Sequence, residues 1–308
     1  FESPSRPSGK PHLTLVLSPL IALMKDQVDA LRAKGVSATF INSSLEKRER
    51  EIRYEEIAKG EHTLLYVTPE RFRKPDFVKV LEHRHIGLLA VDEAHCISEW
   101  GHDFRPEYLH IGEVISALPA ARILACTATA TPVVRDEILA RLGLDPATPQ
   151  ILRGFARPNL ALRVTEVETR KARQAQIDAL LAAALDRPAR SQGTAIVYAP
   201  TRKATEEEAM RLAALGWDAA AYHAGLDGPV RDTVQRAFEA GEIEVVVATN
   251  AFGMGIDRPD VRAIAHLAPP SSVEAYYQEV GRAGRDGKDA LCLLLVSPGD
   301  MALRRHLI

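Results

Sequence analysis

The sequence predicts an α/β protein of two domains, each a mostly parallel sheet with helices on both faces. Three observations carry this. Short apolar runs alternate with longer helical patterns along the chain, as a parallel sheet with crossover helices requires. The alternation breaks once, at Arg153-Gly154-Phe155-Ala156-Arg157-Pro158-Asn159, which follows a polar stretch at 145–148 and precedes a fresh α/β series. A length of 308 residues also fits about two domains. The boundary is expected near residue 155, giving domains 1–154 and 155–308.

Each element has a local reason. Strands are expected at 13–17, 63–67, 86–91, 122–126, 194–199, 244–248, 262–267 and 290–296, short apolar runs of strand length. Helices are expected at 20–34, 46–59, 132–142, 171–186, 202–215, 229–240 and 273–282. Ser18 can cap the first helix, which Pro19 begins. A Thr-rich stretch before Pro132 can cap the third. Ile177, Leu180, Leu181 and Leu185 recur at helical spacing and mark the buried stripe of the fourth.

Composition narrows the class. Hydrophobic residues make up 46% and charged residues 26%, ordinary for a globular chain. The net charge of −2 gives no global basic field, so any polyanion must be met by a local cleft. Cys96, Cys126 and Cys292 are far apart and form neither a CxxC pair nor a zinc-ligand spacing. They are expected to be buried, reduced thiols, which fits the cytoplasm. No apolar run approaches membrane-spanning length. The chain starts without Met in a Pro/Ser-rich stretch and stops inside a helical pattern, so both ends are expected to be cut.

The strongest chemical signal is residues 92–108, DEAHCISEWGHDFRPEY. The apolar run Ile86-Gly87-Leu88-Leu89-Ala90-Val91 delivers Asp92 and Glu93 to a strand C-terminus, where open α/β sheets bind ligands. By itself an Asp-Glu pair there also reads as a cap on the next helix. Directly behind it, Trp100, His102, Phe104 and Arg105 form a loop suited to stacking on bases. Carboxylates able to hold magnesium beside a nucleotide, joined to such a loop, point to an ATPase coupled to nucleic acid.

Other strand ends are polar too. Ser18 and Pro19 follow the first strand, reading as an ordinary capped helix and equally as a phosphate seat at a helix N-terminus. Thr68 repeats the pattern after the second. Thr127 and Thr129 follow the fourth, where their hydroxyls can bond neighbours such as His95. His223 reads either as a structural histidine or as a contact residue. In 248–257 Thr249 and Asn250 offer polar groups, two glycines including Gly255 let a ligand approach the backbone, and Asp257 can accept from a ribose hydroxyl. In 278–287 Gln278 and Arg282 are four apart on one expected helix face, and three glycines bring Arg285 onto a tight turn.

With these residues in hand, the chain resembles the RecQ-family DNA helicases of superfamily 2. The DEAH run and its aromatic-rich loop carry the resemblance. Ser18–Gln27 is similar to motif Ia, 67–72 to motif Ib, 126–130 to motif III, 198–202 to motif IV, 248–257 to motif V and 278–287 to motif VI. The resemblance implies two tandem RecA-like domains joined by an "RPN" stretch, and an ATP-dependent motor moving 3′ to 5′ on DNA. It implies Asp92 holding Mg²⁺ through water, Glu93 orienting or deprotonating the attacking water, and Asp257 on the ribose. Arg282 and Arg285 would stabilise the γ-phosphate, an effect worth ~10³–10⁵ in rate in GTPases. It implies DNA, as single strand and duplex junction, touching Ser18, Pro19, Thr68, Arg202, His223, Thr249, Asn250 and the aromatic loop. Localisation would be cytoplasmic, on the nucleoid in a bacterium.

One expected motif is missing. The sequence has no G-x-x-x-x-G-K-[ST] P-loop; at Ser8-Gly9-Lys10-Pro11, Pro4 and Pro11 stand where Gly and Ser/Thr are needed. The expectation is a P-loop upstream of Phe1. Two rivals stand beside the DNA motor: an RNA helicase with the same machinery, and a catalytically incomplete nucleic-acid-binding module. No zinc site is expected in this segment.

Overall fold

The computed structural model describes residues 10–19, 21–98, 105–116, 118, 120–152, 156–253 and 258–300. The chain divides into two compact units, Phe1–Ile151 and Leu152–Ile308. The boundary expected near 155 lies just inside the second.

The first unit runs β1 (His12–Leu17), α1 (Ile21–Ala33), β2 (Ala38–Ile41), α2 (Lys47–Lys59), β3 (Leu64–Val67), α3 (Pro75–Glu82), β4 (His85–Val91), α4 (Ile111–Ser116), β5 (Arg122–Ala125) and α5 (Pro132–Arg141). Short 3₁₀ turns occupy Pro69–Arg73, Ala94–Ile97 and Pro106–His110. The strands pair in the order β2-β3-β1-β4-β5, all parallel. Ile41, Val67, Leu17, Val91 and Ala125 form one rung across the sheet. The next residues in the same order are Asn42, Thr68, Ser18, Asp92 and Cys126. Because every strand points the same way, these polar groups all emerge along one edge.

The second unit runs β6 (Leu160–Glu166), α6 (Arg170–Leu185), β7 (Thr194–Tyr198), α7 (Arg202–Ala214), β8 (Ala219–Tyr222), α8 (Gly228–Ala240), β9 (Val245–Ala248), β10 (Val261–His266), α9 (Val273–Val280) and β11 (Ala290–Val296). Its order is β6-β11-β10-β7-β9-β8, again all parallel. The period-2 alternation of strands splits its core in two. Val197, Val247 and Ala265 face Ile177 and Leu181 of α6 and Leu212 of α7. Ile196, Val246 and Ile264 face Phe238 of α8 and Val280 of α9. Helices therefore cover both faces of this sheet. Thr131, Thr169, Thr201 and Ser272 cap α5, α6, α7 and α9 by accepting a backbone N–H, each worth about 0.5–2 kcal/mol.

The structure departs from the sequence reading in several places. Strands β2, β6 and β8 and helices α3 and α4 were not expected. The last helix stops at Val280, two residues before the expected end at 282, because Gly281 and the following turn break it. Cys126 is exposed, since it lies just beyond the edge strand β5, while Cys96 and Cys292 are buried as expected. Burial pushes the Cys292 thiol up to about 12. Among the described residues no helix is long and apolar enough to cross a membrane.

Thiol chemistry tests this packing. A water-soluble thiol reagent at about pH 8 should label Cys126 in the native protein and reach Cys96 and Cys292 only on unfolding. Rapid native labelling of Cys292 would contradict the second core.

Candidate functional site

Asp92 leaves β4 where the sheet stops, and both its oxygens are engaged. Oδ2 accepts from the Ser18 hydroxyl at 3.2 Å, and Oδ1 accepts from the Glu93 backbone N–H at 3.0 Å. Tyr108 donates its hydroxyl to the Asp92 carbonyl at 3.3 Å. Ser18 is fully buried, so the hydroxyl expected to face a DNA phosphate supports the carboxylate instead. Pro19 is buried as well.

Glu93 has φ of +47°, a left-handed conformation uncommon for a residue with a Cβ. The chain thus swings out of the strand direction before the Ala94–Ile97 turn. Glu93 Oε2 lies 3.3 Å from His95 Nδ1, and the same nitrogen meets Thr127 Oγ1 at 2.9 Å. Thr127 donates to the Thr129 carbonyl at 3.1 Å. Glu93, His95, Thr127 and the Thr129 backbone therefore form one polar chain from the end of β4 to the segment after β5, as the sequence suggested for His95 and Thr127. Ser98 fastens the turn to α5 by donating to Glu137 Oε2 at 2.6 Å.

The Asp92 charge is felt by the groups around it. Tyr66 and Cys126 are both shifted up, by burial first and by the Asp92 charge second. Tyr108 is also shifted up, mainly by burial, with Cys96 and then Asp92 adding to it. A magnesium ion takes one or two carboxylates and completes its shell with water and phosphate oxygens. Asp92 and Glu93 fit that role. Among the described residues no cluster of three or more His, Cys, Asp or Glu could cage a metal alone.

Of the aromatic loop, Trp100, His102 and Phe104 lie outside the described residues. Arg105 is half-buried and donates to the Pro19 carbonyl at 3.3 Å, tying the loop's end to the segment after β1. Thr68 is buried, and its Oγ1 has no hydrogen-bond partner among the described residues.

In the second unit, His223 is buried, with Nε2 3.0 Å from Glu206 Oε1 on α7. Arg202, exposed at the start of α7, packs against Gly225, where an added Cβ would lie 2.9 Å from its Nη1. Asn250 is exposed after β9, and Thr249 Oγ1 accepts from the Ala251 N–H at 3.4 Å. Gly255 and Asp257 lie outside the described residues. Gln278 is half-buried on α9. Because α9 ends at Val280, Arg282 does not share a helix face with Gln278 as the spacing predicted. It sits in the following turn and donates to the Gly253 carbonyl, joining that turn to the loop after β9. Its Nε is buried without a hydrogen-bond partner among the described residues. Burial pushes the Tyr198 hydroxyl up to about 12, opposed by Arg282 and Arg285, with Glu279 adding to the rise. Arg285 is exposed.

Sequence reasoning gave no role to Tyr108 or to the buried pair His266–Glu279, whose Nε2 and Oε2 lie 2.7 Å apart. His266 stacks on Tyr198 at 5.1 Å, one strand over on the same rung. Matching strand ends by register is the signal that would have found it.

Two family models match the chain. Residues 5–137 match the DEAD/DEAH box helicase model, and residues 175–287 match the helicase conserved C-terminal domain. A protein of Pasteurella multocida named ATP-dependent DNA helicase RecQ is 45% identical over 94% of this chain and 44% of its own length. One of the same name from Bacillus subtilis is 42% identical over 96% of this chain and 48% of its own. The chain belongs to the RecQ helicase family. It spans about half the length of these curated relatives. The chain also shares its fold with Dbp5 of S. cerevisiae, at a TM-score of 0.69 and 17% identity over 97% of this chain and 74% of that one. The DNA-bound helicase MrfA matches at 0.70 and 18%, over 96% of this chain and 42% of that one. At these identities the likeness is one of fold, the tandem RecA-like arrangement of two parallel-sheet domains.

Two glycines test the geometry around Arg282. Gly253 has φ of +136°, and an added Cβ would sit 2.6 Å from Arg282 Cζ. Gly253→Ala should lower stability by about 1–3 kcal/mol in urea unfolding. Gly228→Ala, with nothing within 4 Å, should change it by less than about 1 kcal/mol. Equal effects would refute the described contact.

Proposed function

We propose that the whole protein is an ATP-dependent DNA helicase that moves 3′ to 5′ along single strands and opens duplex junctions. The observation that carries this reading is the strand-end chain Asp92–Glu93–His95–Thr127 in a chain whose family is RecQ. ATP is the substrate. Magnesium bound with it would neutralise phosphate charge, held by Asp92 through water.

Glu93 is the base that orients and deprotonates the attacking water, and its left-handed backbone turns it away from the strand to do so. His95 meets both Glu93 and Thr127 through Nδ1, so a change at the strand end is passed to the segment after β5. Arg282 and Arg285 stabilise charge on the γ-phosphate with their permanently charged forks. Asp257 and Gly255 meet the ribose side of the nucleotide, and Gln278 lies on the helix leading to the arginines.

DNA is met directly by the exposed groups Arg202 and Asn250, with Thr249 beside them. Ser18, Pro19, Thr68 and His223 are buried and act from beneath, shaping the backbone that faces the phosphates. Trp100, His102, Phe104 and Arg105 stack on bases and report DNA to His95; base stacking is worth ~1–3 kcal/mol per base. The setting is the cytoplasm, at the nucleoid if the cell is bacterial.

The test is ATP hydrolysis by the full-length protein with and without single-stranded DNA. DNA should stimulate hydrolysis at least about tenfold. Glu93→Gln should lower kcat by about 10²-fold or more, and Arg285→Ala by about 10³-fold. Absence of DNA-stimulated hydrolysis overturns the motor and leaves a binding module. Equal unwinding of RNA and DNA duplexes overturns the DNA assignment.

A further inference from the structure

Arg285 is exposed on a glycine turn, so its aim depends on how that turn is held. The backbone on both sides of it is gripped. Ahead of it, the Gly284 carbonyl accepts from Arg157 Nη2 at 2.7 Å and from Asn159 Nδ2 at 2.8 Å. Arg157 Nη2 also donates to the Ala283 carbonyl at 3.1 Å, and Asn159 Nδ2 to the Lys288 carbonyl at 2.8 Å. Arg157 Nε reaches Asn159 Oδ1 at 3.4 Å, bracing the two side chains against each other. The Asn159 carbonyl accepts the Ala290 N–H at 2.9 Å. Behind Arg285, the Asp286 carboxylate is paired with Arg262.

The fit is tight. Gly284 has φ of +54°, and an added Cβ would lie 2.5 Å from Asn159 Nδ2. A glycine is required there both for the left-handed turn and for the closeness of the amide. Arg157 and Asn159 stand more than 120 residues before the turn in sequence, near the start of the second unit.

We propose that Arg157 and Asn159 are positioning residues for Arg285, clamping the carbonyls of its turn so that the arginine is held ready for the transferring phosphoryl group. This rests on the reading of Arg285 as the residue that meets the γ-phosphate. The clamp touches no substrate. It fixes the φ and ψ angles from which the long side chain departs, and so removes backbone freedom that would otherwise blur its aim. It also makes the beginning of the second unit and the arginine turn move as one body.

The test measures DNA-stimulated ATP hydrolysis of the full-length protein. Arg157→Ala and Asn159→Asp should each lower kcat at least about tenfold, with KM for ATP and DNA affinity within about twofold of wild type, the signature of an interaction felt only in the transition state. In an Arg285→Ala background the same changes should cost less than about a further twofold, because the group they aim is gone. Should Asn159→Asp fail to fold, Arg157→Lys keeps the charge, loses the fork, and carries the same expectation. Wild-type kcat in the folded variants, or losses that multiply fully with that of Arg285→Ala, overturn the clamp. A wild-type protein without DNA-stimulated hydrolysis, or an Arg285→Ala variant at wild-type kcat, refutes the underlying role of Arg285 and the clamp with it.

Discussion

The hydrogen bond from Ser18 to Asp92 depends on a register. Ser18 follows β1 and Asp92 follows β4, and they meet because Leu17 and Val91 are partners on one rung. A parallel sheet whose strands are buried has little room for polar side chains along them, so ligands are met where the strands end. In the first unit all five strands end level, and the row Asn42, Thr68, Ser18, Asp92 and Cys126 is the result. Slipping β4 by one residue would bury Asp92 among leucines and send its neighbours to the wrong faces.

The second unit applies the same constraint to different groups. One rung across it carries Tyr222, Ala248, Tyr198, His266, Leu294 and Val164, with no carboxylate among them. The positive charge arrives from elsewhere, on the turn after α9. That turn is bound to Gly253 through Arg282 and to Arg157 and Asn159 through the Gly284 carbonyl. One unit thus offers carboxylates on strand ends, and the other offers arginines on a braced turn. Each arrangement is complete within its own unit.

Much of this was legible in the sequence because buried strands are written as uninterrupted apolar runs. β4 and β7 are examples, and the polar residues that end such runs are then the candidates for chemistry. The strands that escaped notice, β2, β6 and β8, all lie at sheet edges. β6 shows why: Leu162 and Val164 are exposed, so its apolar residues do not form a recognisable buried pattern. β8, with Ala219, Ala220 and Ala221, has too little side chain to signal a strand. Arg282 was expected on a helix because spacing of four implies one, but two glycines nearby outweigh that spacing. The burial of Ser18, Thr68 and His223 was hidden for a different reason. A polar residue at a strand end can face solvent or support its neighbour, and only the three-dimensional register decides between them.

That choice is what Ser18→Ala measures in the full-length protein. If the hydroxyl serves Asp92, kcat for DNA-stimulated ATP hydrolysis should fall about tenfold or more, as expected for a lost hydrogen bond to a charged group, while DNA affinity stays within about twofold. A loss of DNA affinity with kcat unchanged would contradict the account, returning Ser18 to the DNA surface and leaving Asp92 without the support that the register gives it.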